Sequence, residues 1–309
     1  MRLRSSLVVF AIVALSPAAI WSAIQPRAFR VGRGPEAIAF DGTSLWIANQ
    51  FDDTITRFGV DQGRALQTVA VGRRPVAIAF DGAHVWVASL FANTVTMLRP
   101  DDGSVVGTFA VGGGPGGLAF DGASMWVASR ESNTVTKLRA SDGAVIGTFP
   151  VGRRPITLAA RDGSVWVANQ SSNSVSRLRA SDGAPLGTFQ VGDGPFGLAL
   201  DGQSVWVTSF FGHRVVRLRA SDGAVQSVSP VGDGPSGIVF AGGNLWVANN
   251  GSSTVTVLRQ TDGAPLATIP VGRGPFGIAT SLTPLTGVGI WVASFGNNSI
   301  ALIDPRQIL

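Results

Sequence analysis

The sequence predicts an all-β fold: a seven-bladed β-propeller with four antiparallel strands per blade, the last blade closed by the N-terminal strand. Three observations carry this. A 40-residue unit recurs at constant spacing, each unit holds four short strand-like runs, and a strand lacking at the C-terminal end has a counterpart at the N-terminal end.

The repeat comes first. Val-Gly pairs begin at Val31, Val71, Val111, Val151, Val191, Val231 and Val271, and each is followed at the same offset by a proline, from Pro35 to Pro275. Tryptophans keep the same period at Trp46, Trp86, Trp126, Trp166, Trp206 and Trp246. Trp291 comes five residues late because SLTPLTGVG is inserted after Thr280. A fixed period of this length is the signature of stacked supersecondary units.

Within the unit 151–190, strands are expected near 156–160, 164–168, 174–178 and 186–191. Val165 and Val167 alternate with Trp166 and Ala168, the two-residue period of a strand. Asp-Gly turns at Asp162 and Asp182 join the first strand to the second and the third to the fourth. Both faces of each strand are apolar, as expected of blades packed on both sides. The tryptophans are expected to fill the wedges between blades.

Closure is read from the ends. The seventh unit has strands near Ile278, at 290–293 and at 299–303, and then the chain stops. Residues 27–32, AFRVG among them, match the fourth-strand segment GTFQVG at 187–192 in type. They are expected to supply the outer strand of the last blade.

Composition bounds the rest. The 309 residues include no Cys, no Tyr and only two His, so thiolate chemistry and disulfides are excluded. Arg2 and Arg4 precede an apolar run from Leu7, followed by Pro17 and small residues, which predicts that residues 1–25 are a signal peptide or an N-terminal membrane anchor. The propeller then spans 26–309. The protein is expected to be exported: periplasmic, secreted or tethered outside the membrane. Four of the five net positive charges lie in the first thirty residues. The folded body therefore lacks the basic excess of a nucleic-acid binder.

The units VGRRP…DGAHVWVASLFANTVTMLR and VGGGP…DGASMWVASRESNTVTKLR resemble the YncE-type family of YVTN-repeat propellers. They are also similar to the NHL-like blades of virginiamycin B lyase-like proteins. The resemblance covers essentially 27–309. It implies the propeller fold, and for the lyase-like relatives a metal-dependent elimination that opens a macrocyclic ester, using magnesium with histidine and glutamate from the later blades. Here no histidine follows His213 and the last glutamate is Glu131, so those residues do not transfer.

Candidate site residues stand where units depart from their own consensus. The blade-linking loops and the loops between second and third strands meet at one mouth of the ring. Arg73, Arg74, Arg153 and Arg154 stand in the linking loops and suit an anionic ligand. Phe91, Phe210, Phe211 and Phe295 stand in the other loops, with Phe51 and Leu90, and suit an apolar ligand or a protein surface. Phe196 and Phe276 follow two of the loop prolines. His213 is the one histidine at the mouth and a candidate general base. Asp193 and Asp233, in neighbouring units, are candidate ligands for calcium or magnesium. Glu36, Asp52, Asp53 and Glu131 approach the same face. The Asn and Ser after each WVA motif recur too regularly for catalysis and read as turn-capping groups.

With histidine so scarce, the inventory favours a non-enzymatic binding or scaffold role, with no cofactor required and a protein or small polar ligand as partner. The alternative is a lyase-like carbon–oxygen elimination. The chain is expected to act as a monomer, without nucleic acid, and to meet membrane only through an N-terminal anchor.

Overall fold

The computed structural model describes residues 26–283 and 287–307. The leader or anchor expected at 1–25 lies outside the described residues. Seven four-stranded antiparallel sheets follow one another along the chain, each in simple sequential order. In the fourth blade the strands are Pro155–Arg161, Ser164–Asn169, Ser174–Arg179 and Pro185–Gln190. These lie within a residue of the expected runs.

The seventh sheet is composite. Arg27–Arg30 pairs antiparallel with Ser299–Ile303, with Phe29 opposite Ile300. Phe29 meets Phe58 edge-on at 5.2 Å and Trp291 at 5.6 Å, so the closing strand seals the junction between the last and first blades. The last blade thereby has four strands like the other six, with Arg27–Arg30 as its outer strand. The insertion lengthens the first hairpin of this blade, where Pro275–Thr283 pairs with Gly287–Ser294.

The core is seven wedges. Each combines the second and third strands of one blade with those of the next: Trp86, Ala88 and Met97 of the second blade pack with Met125, Val127 and Leu138 of the third. All seven repeat tryptophans are buried. Their indole N–H groups explain the Asp-Gly motif. Asp41 accepts from the backbone N–H groups of Thr43 and Ser44 with one oxygen and from Trp46 Nε1, at 2.7 Å, with the other. Asp81, Asp121 and Asp201 repeat the bond to Trp86, Trp126 and Trp206. A buried indole needs such an acceptor.

The glycine of each Val-Gly pair is also explained. A Cβ on Gly32 would lie 2.5 Å from Cγ of Asn49, and Gly152 faces Asn169 in the same way. Those asparagines are buried at the ends of second strands and donate to third-strand hydroxyls, Asn49 to Thr54 and Thr56, Asn169 to Ser174 and Ser176. They are strand-end clamps, in keeping with the capping role expected from their recurrence. Among the described residues no helix is long and apolar enough to cross a membrane.

Candidate functional site

The first strand of every blade is innermost, and these seven strands pack side by side around the central channel. Each carries an irregularity just after its proline: Pro35 pairs with Asn49, but the next paired residue is Ile38, opposite Ile47. Such a bulge re-aims the side chains it contains. The residues in it line a cavity of about 210 Å³ at the channel mouth.

The bulge builds two rings. The lower one is small: Ala37, Ala77, Gly117, Thr157, Gly197, Gly237 and Gly277. Close approach of neighbouring backbones requires it, since a Cβ on Gly277 would sit 2.5 Å from the Glu36 carbonyl oxygen and one on Gly237 2.6 Å from that of Phe276. The upper ring, by contrast, has no consensus. In blade order it reads Glu36, Val76, Gly116, Ile156, Phe196, Ser236 and Phe276.

Glu36 is 7% exposed and, among the described residues, its carboxyl has no hydrogen-bond or ion-pair partner. Burial raises its pKa from 4.5 to about 7, against the opposing pull of Arg130 and then Arg74. Arg130, in the loop after the third blade's second strand, lies directly over Gly116. The missing side chain there is what admits the guanidinium to the channel. Arg130 Nε is buried without a partner. Burial lowers its pKa, Glu36 raises it, and Arg154 and Arg74 lower it further; a guanidinium nonetheless stays protonated.

Arg74 and Arg154 hold a special backbone position. Their φ values are 56° and 54°, while the equivalent residues of the other five blades are Gly34, Gly114, Gly194, Gly234 and Gly274, all with positive φ. A left-handed conformation suits glycine and strains a residue with a Cβ. Arg74 Nε donates to Gln50 Oε1 at 2.8 Å and its guanidinium lies 4.8 Å from the Phe91 ring centre. The backbone N–H groups of Arg74 and Arg154 donate to Asp53 and Asn133.

The remaining arc of the mouth is aromatic. Phe196 contacts Phe276 edge-on at 5.3 Å and Phe210 at 5.7 Å. Ser236 stands between the two upper-ring phenylalanines, its hydroxyl buried against the carbonyls of Pro275 and Phe276. Outside the channel, Phe51, Phe91 and Phe211 are more than half exposed. Phe295 packs edge-on to Phe51 and Phe211 to Phe210.

The structure thus brings Phe210 against the channel's Phe196 and half-buries Arg74, whose charge is felt by Glu36 and Arg130; Arg154 acts on Arg130 from an exposed position, and Arg73 and Arg153 are exposed as well. His213 takes the place held elsewhere by Asn93, Asn133, Asn173 and Asn298. Its Nδ1 accepts the Gly234 N–H at 3.1 Å, as Asn173 accepts that of Gly194, so it clamps one blade to the next. Asp233 faces His213 at 3.6 Å and Asp193 faces Arg214 at 3.9 Å. Among the described residues no three His, Cys, Asp or Glu side chains gather to hold a metal ion. The donors present do not fit the magnesium centre that the lyase resemblance implies.

Arg130, and the pull of its charge on Glu36, escaped sequence reasoning. The signal was present in the repeat itself. Read as a column, positions 50, 90, 130, 170, 210, 250 and 295 hold Gln, Leu, Arg, Gln, Phe, Asn and Phe. Of that column Arg130 lines the cavity, over Gly116, whereas the column at Glu36 lines it through the bulge.

No known family profile matches the chain, and no curated protein matches it in sequence. Solved structures do. Virginiamycin B lyase from Staphylococcus aureus superposes with a TM-score of 0.78 at 17% identity, over 91% of this chain and 99% of that one. Hydrazine synthase of Kuenenia stuttgartiensis gives 0.78 at 18% identity, over 89% and 97%. The WD40 repeats of RRP9 give 0.79 at 15% identity, over 92% and 98%. A catalytically inactive virginiamycin B lyase with quinupristin and a streptogramin B lyase match as well.

The expectation that this ring acts without catalysis is corrected by those lyases, catalytic proteins on the same fold. It rested on counting histidines, and a buried carboxyl with a pKa near 7 can do a histidine's work. The chain shares the seven-bladed propeller fold of virginiamycin B lyase and, equally, of WD40-type scaffolds.

Proposed function

We propose that this chain is an enzyme that binds an amphipathic ester in the channel mouth and breaks a carbon–oxygen bond by elimination, with Glu36 as the general base. The observation that carries the reading is the Glu36 carboxyl, buried, unpartnered and held near neutral pKa beside Arg130. A base is most effective when its pKa lies near the working pH. Glu36 would remove the proton on the carbon next to a carbonyl. The electron pair left behind forms the carbon–carbon double bond as the β carbon–oxygen bond breaks, and the acyl group departs as a carboxylate. Glu36 then returns its proton to water.

Cations suit both charges that develop. Arg130, its Nε buried and without a protein partner, answers the carbonyl oxygen as it gains electron density. Arg74 and Arg154 suit the departing carboxylate. The wall of Phe196, Phe210 and Phe276 suits an apolar or aromatic part of the substrate, and the exposed Phe51, Phe91 and Phe211 suit a substrate larger than the channel. No step is routed through a metal, since the side chains present do not form a metal centre.

The test is incubation with quinupristin and with simpler β-acyloxy amides, read by mass spectrometry. Elimination opens a macrocyclic ester without changing its mass, whereas hydrolysis adds one water. An isomeric product from quinupristin, and an unsaturated amide with the free carboxylate from the acyclic esters, both lost in Glu36→Gln, are expected. A product heavier by one water, or turnover undiminished in Glu36→Gln, would overturn the proposal.

A further inference from the structure

On the face opposite the mouth, the fourth blade breaks the Asp-Gly-Trp rule. Where the first, second, third and fifth blades place an aspartate to receive the indole N–H, it has Arg161. The sixth and seventh blades also lack the aspartate but substitute the Ala241 carbonyl and the Ser281 hydroxyl. Trp166 alone among the repeat tryptophans has no hydrogen-bond partner for Nε1 among the described residues, though it is only 2% exposed.

That indole borders a cavity of about 190 Å³ between the fourth and fifth blades, also lined by Arg161, Asp162, Ser164, Arg177 and Ser221. Arg177 lies 5.1 Å from the Trp166 ring centre and donates through Nε to Ser164 and through Nη1 to the Ser221 carbonyl. Arg161 donates through Nη1 to the Leu200 carbonyl, and its Nε lies 3.4 Å from Asp162. Among the described residues each guanidinium keeps Nη2 uncommitted. The Asp162 side chain is 71% exposed and sits on the rim. The Arg161 side chain, 52% exposed, reaches the rim beside it, while Trp166 and Arg177 supply donors further in, and replacing an aspartate with an arginine adds positive charge at this corner.

We infer that this pocket binds a small oxyanion, a phosphate or sulfate group, held by Trp166 Nε1 and the free ends of Arg161 and Arg177. Planar guanidinium forks match such oxygens, and the indole supplies the third donor. The site is separate from the channel and does not depend on the reading of Glu36.

Two-dimensional nitrogen–proton NMR tests it locally, because the indole N–H peaks are few and Trp166→Phe assigns the relevant one. Titration with inorganic phosphate, and separately with glycerol phosphate, is expected to move the Trp166 peak saturably. Movement with both supports recognition of a phosphate group on a larger molecule, and movement with inorganic phosphate alone supports a free ion. Arg161→Asp gives the fourth blade the arrangement of the first, second, third and fifth, so it should fold, shift the Trp166 peak towards theirs without ligand and abolish the response. A Trp166 peak that never moves, or that moves equally in Arg161→Asp, would overturn the site.

Discussion

The wedges between blades and the mouth of the channel are made from the same seven units, yet they obey opposite rules. In the wedges the units nearly repeat themselves: a buried tryptophan in all seven, followed by valine in all but the first (Ile47) and then alanine in all but the fifth (Thr208). At the mouth the backbone repeats while the residues do not. Glu36, Val76, Gly116, Ile156, Phe196, Ser236 and Phe276 occupy one position on seven copies of one bulge. Packing has one solution per wedge, so the same side chains serve each time. A channel is lined jointly by all blades, so each blade can contribute something different. Within the channel the charged groups, Glu36 and Arg130, come from the first and third blades and the aromatic ones, Phe196 and Phe276, from the fifth and seventh.

The largest effect should come from breaking the rule of the wedges. Trp206→Ala removes a side chain with no solvent exposure, packed between the fifth and sixth blades with Val215 and Leu245. It should cost about 3–5 kcal/mol through the cavity it leaves. Chemical denaturation reads this directly. A cost near zero would mean that the wedges do not carry the stability of the ring. The same substitution leaves the mouth residues untouched.

The mouth should respond in the opposite direction. Glu36 has a pKa near 7 in the folded chain against an ordinary 4.5. Between those values the folded state holds a proton that the unfolded state has released, so stability falls as pH rises. The cost is absent below about pH 4.5 and complete above about pH 7. Glu36→Gln should therefore stabilise the protein at about pH 8 by about 3 kcal/mol and leave it unchanged near pH 4. A wild-type protein as stable as the variant at the higher pH would place the Glu36 carboxylate in a well-solvated setting and remove the basis for its role as a base.

This contrast also decides what could be read from the sequence. The wedges were legible because periodicity is a one-dimensional signal: 40-residue spacing, two-residue alternation and Asp-Gly turns give blade, strand and hairpin without coordinates. Closure by Arg27–Arg30 was legible because Phe29 repeats the pattern of Phe149 and Phe189. The mouth was legible only in part. Arg74 and Arg154 stood out, but so did Arg73 and Arg153 beside them, and the left-handed turn that separates each pair's two members has no mark in composition. Glu36 and Arg130 lie 94 positions apart in sequence. They come together because their blades curve around one axis and because Gly116 leaves room. His213 drew notice as a rare residue, yet its place in the asparagine column assigns it to the blade-to-blade clamp.

The smallest effect sharpens the comparison most, because it sets the mouth against the fold within a single residue. Arg74→Gly and Arg154→Gly give those positions the residue that the other five blades already use, with φ near 60° in all of them. Relief of the left-handed strain should stabilise by about 1 kcal/mol at each position. The gain should be smaller for Arg74, which also gives up its bond to Gln50 and its contact with Phe91, than for Arg154, whose side chain has no such hydrogen bond. Both variants should bind an anionic substrate or product more weakly, with calorimetry reading affinity and thermal melting reading stability on the same samples. A gain in stability with unchanged affinity would make the two arginines incidental to the mouth. A gain in stability with weakened binding would mean that the ring tolerates strain at these two turns because the ligand needs the charge there.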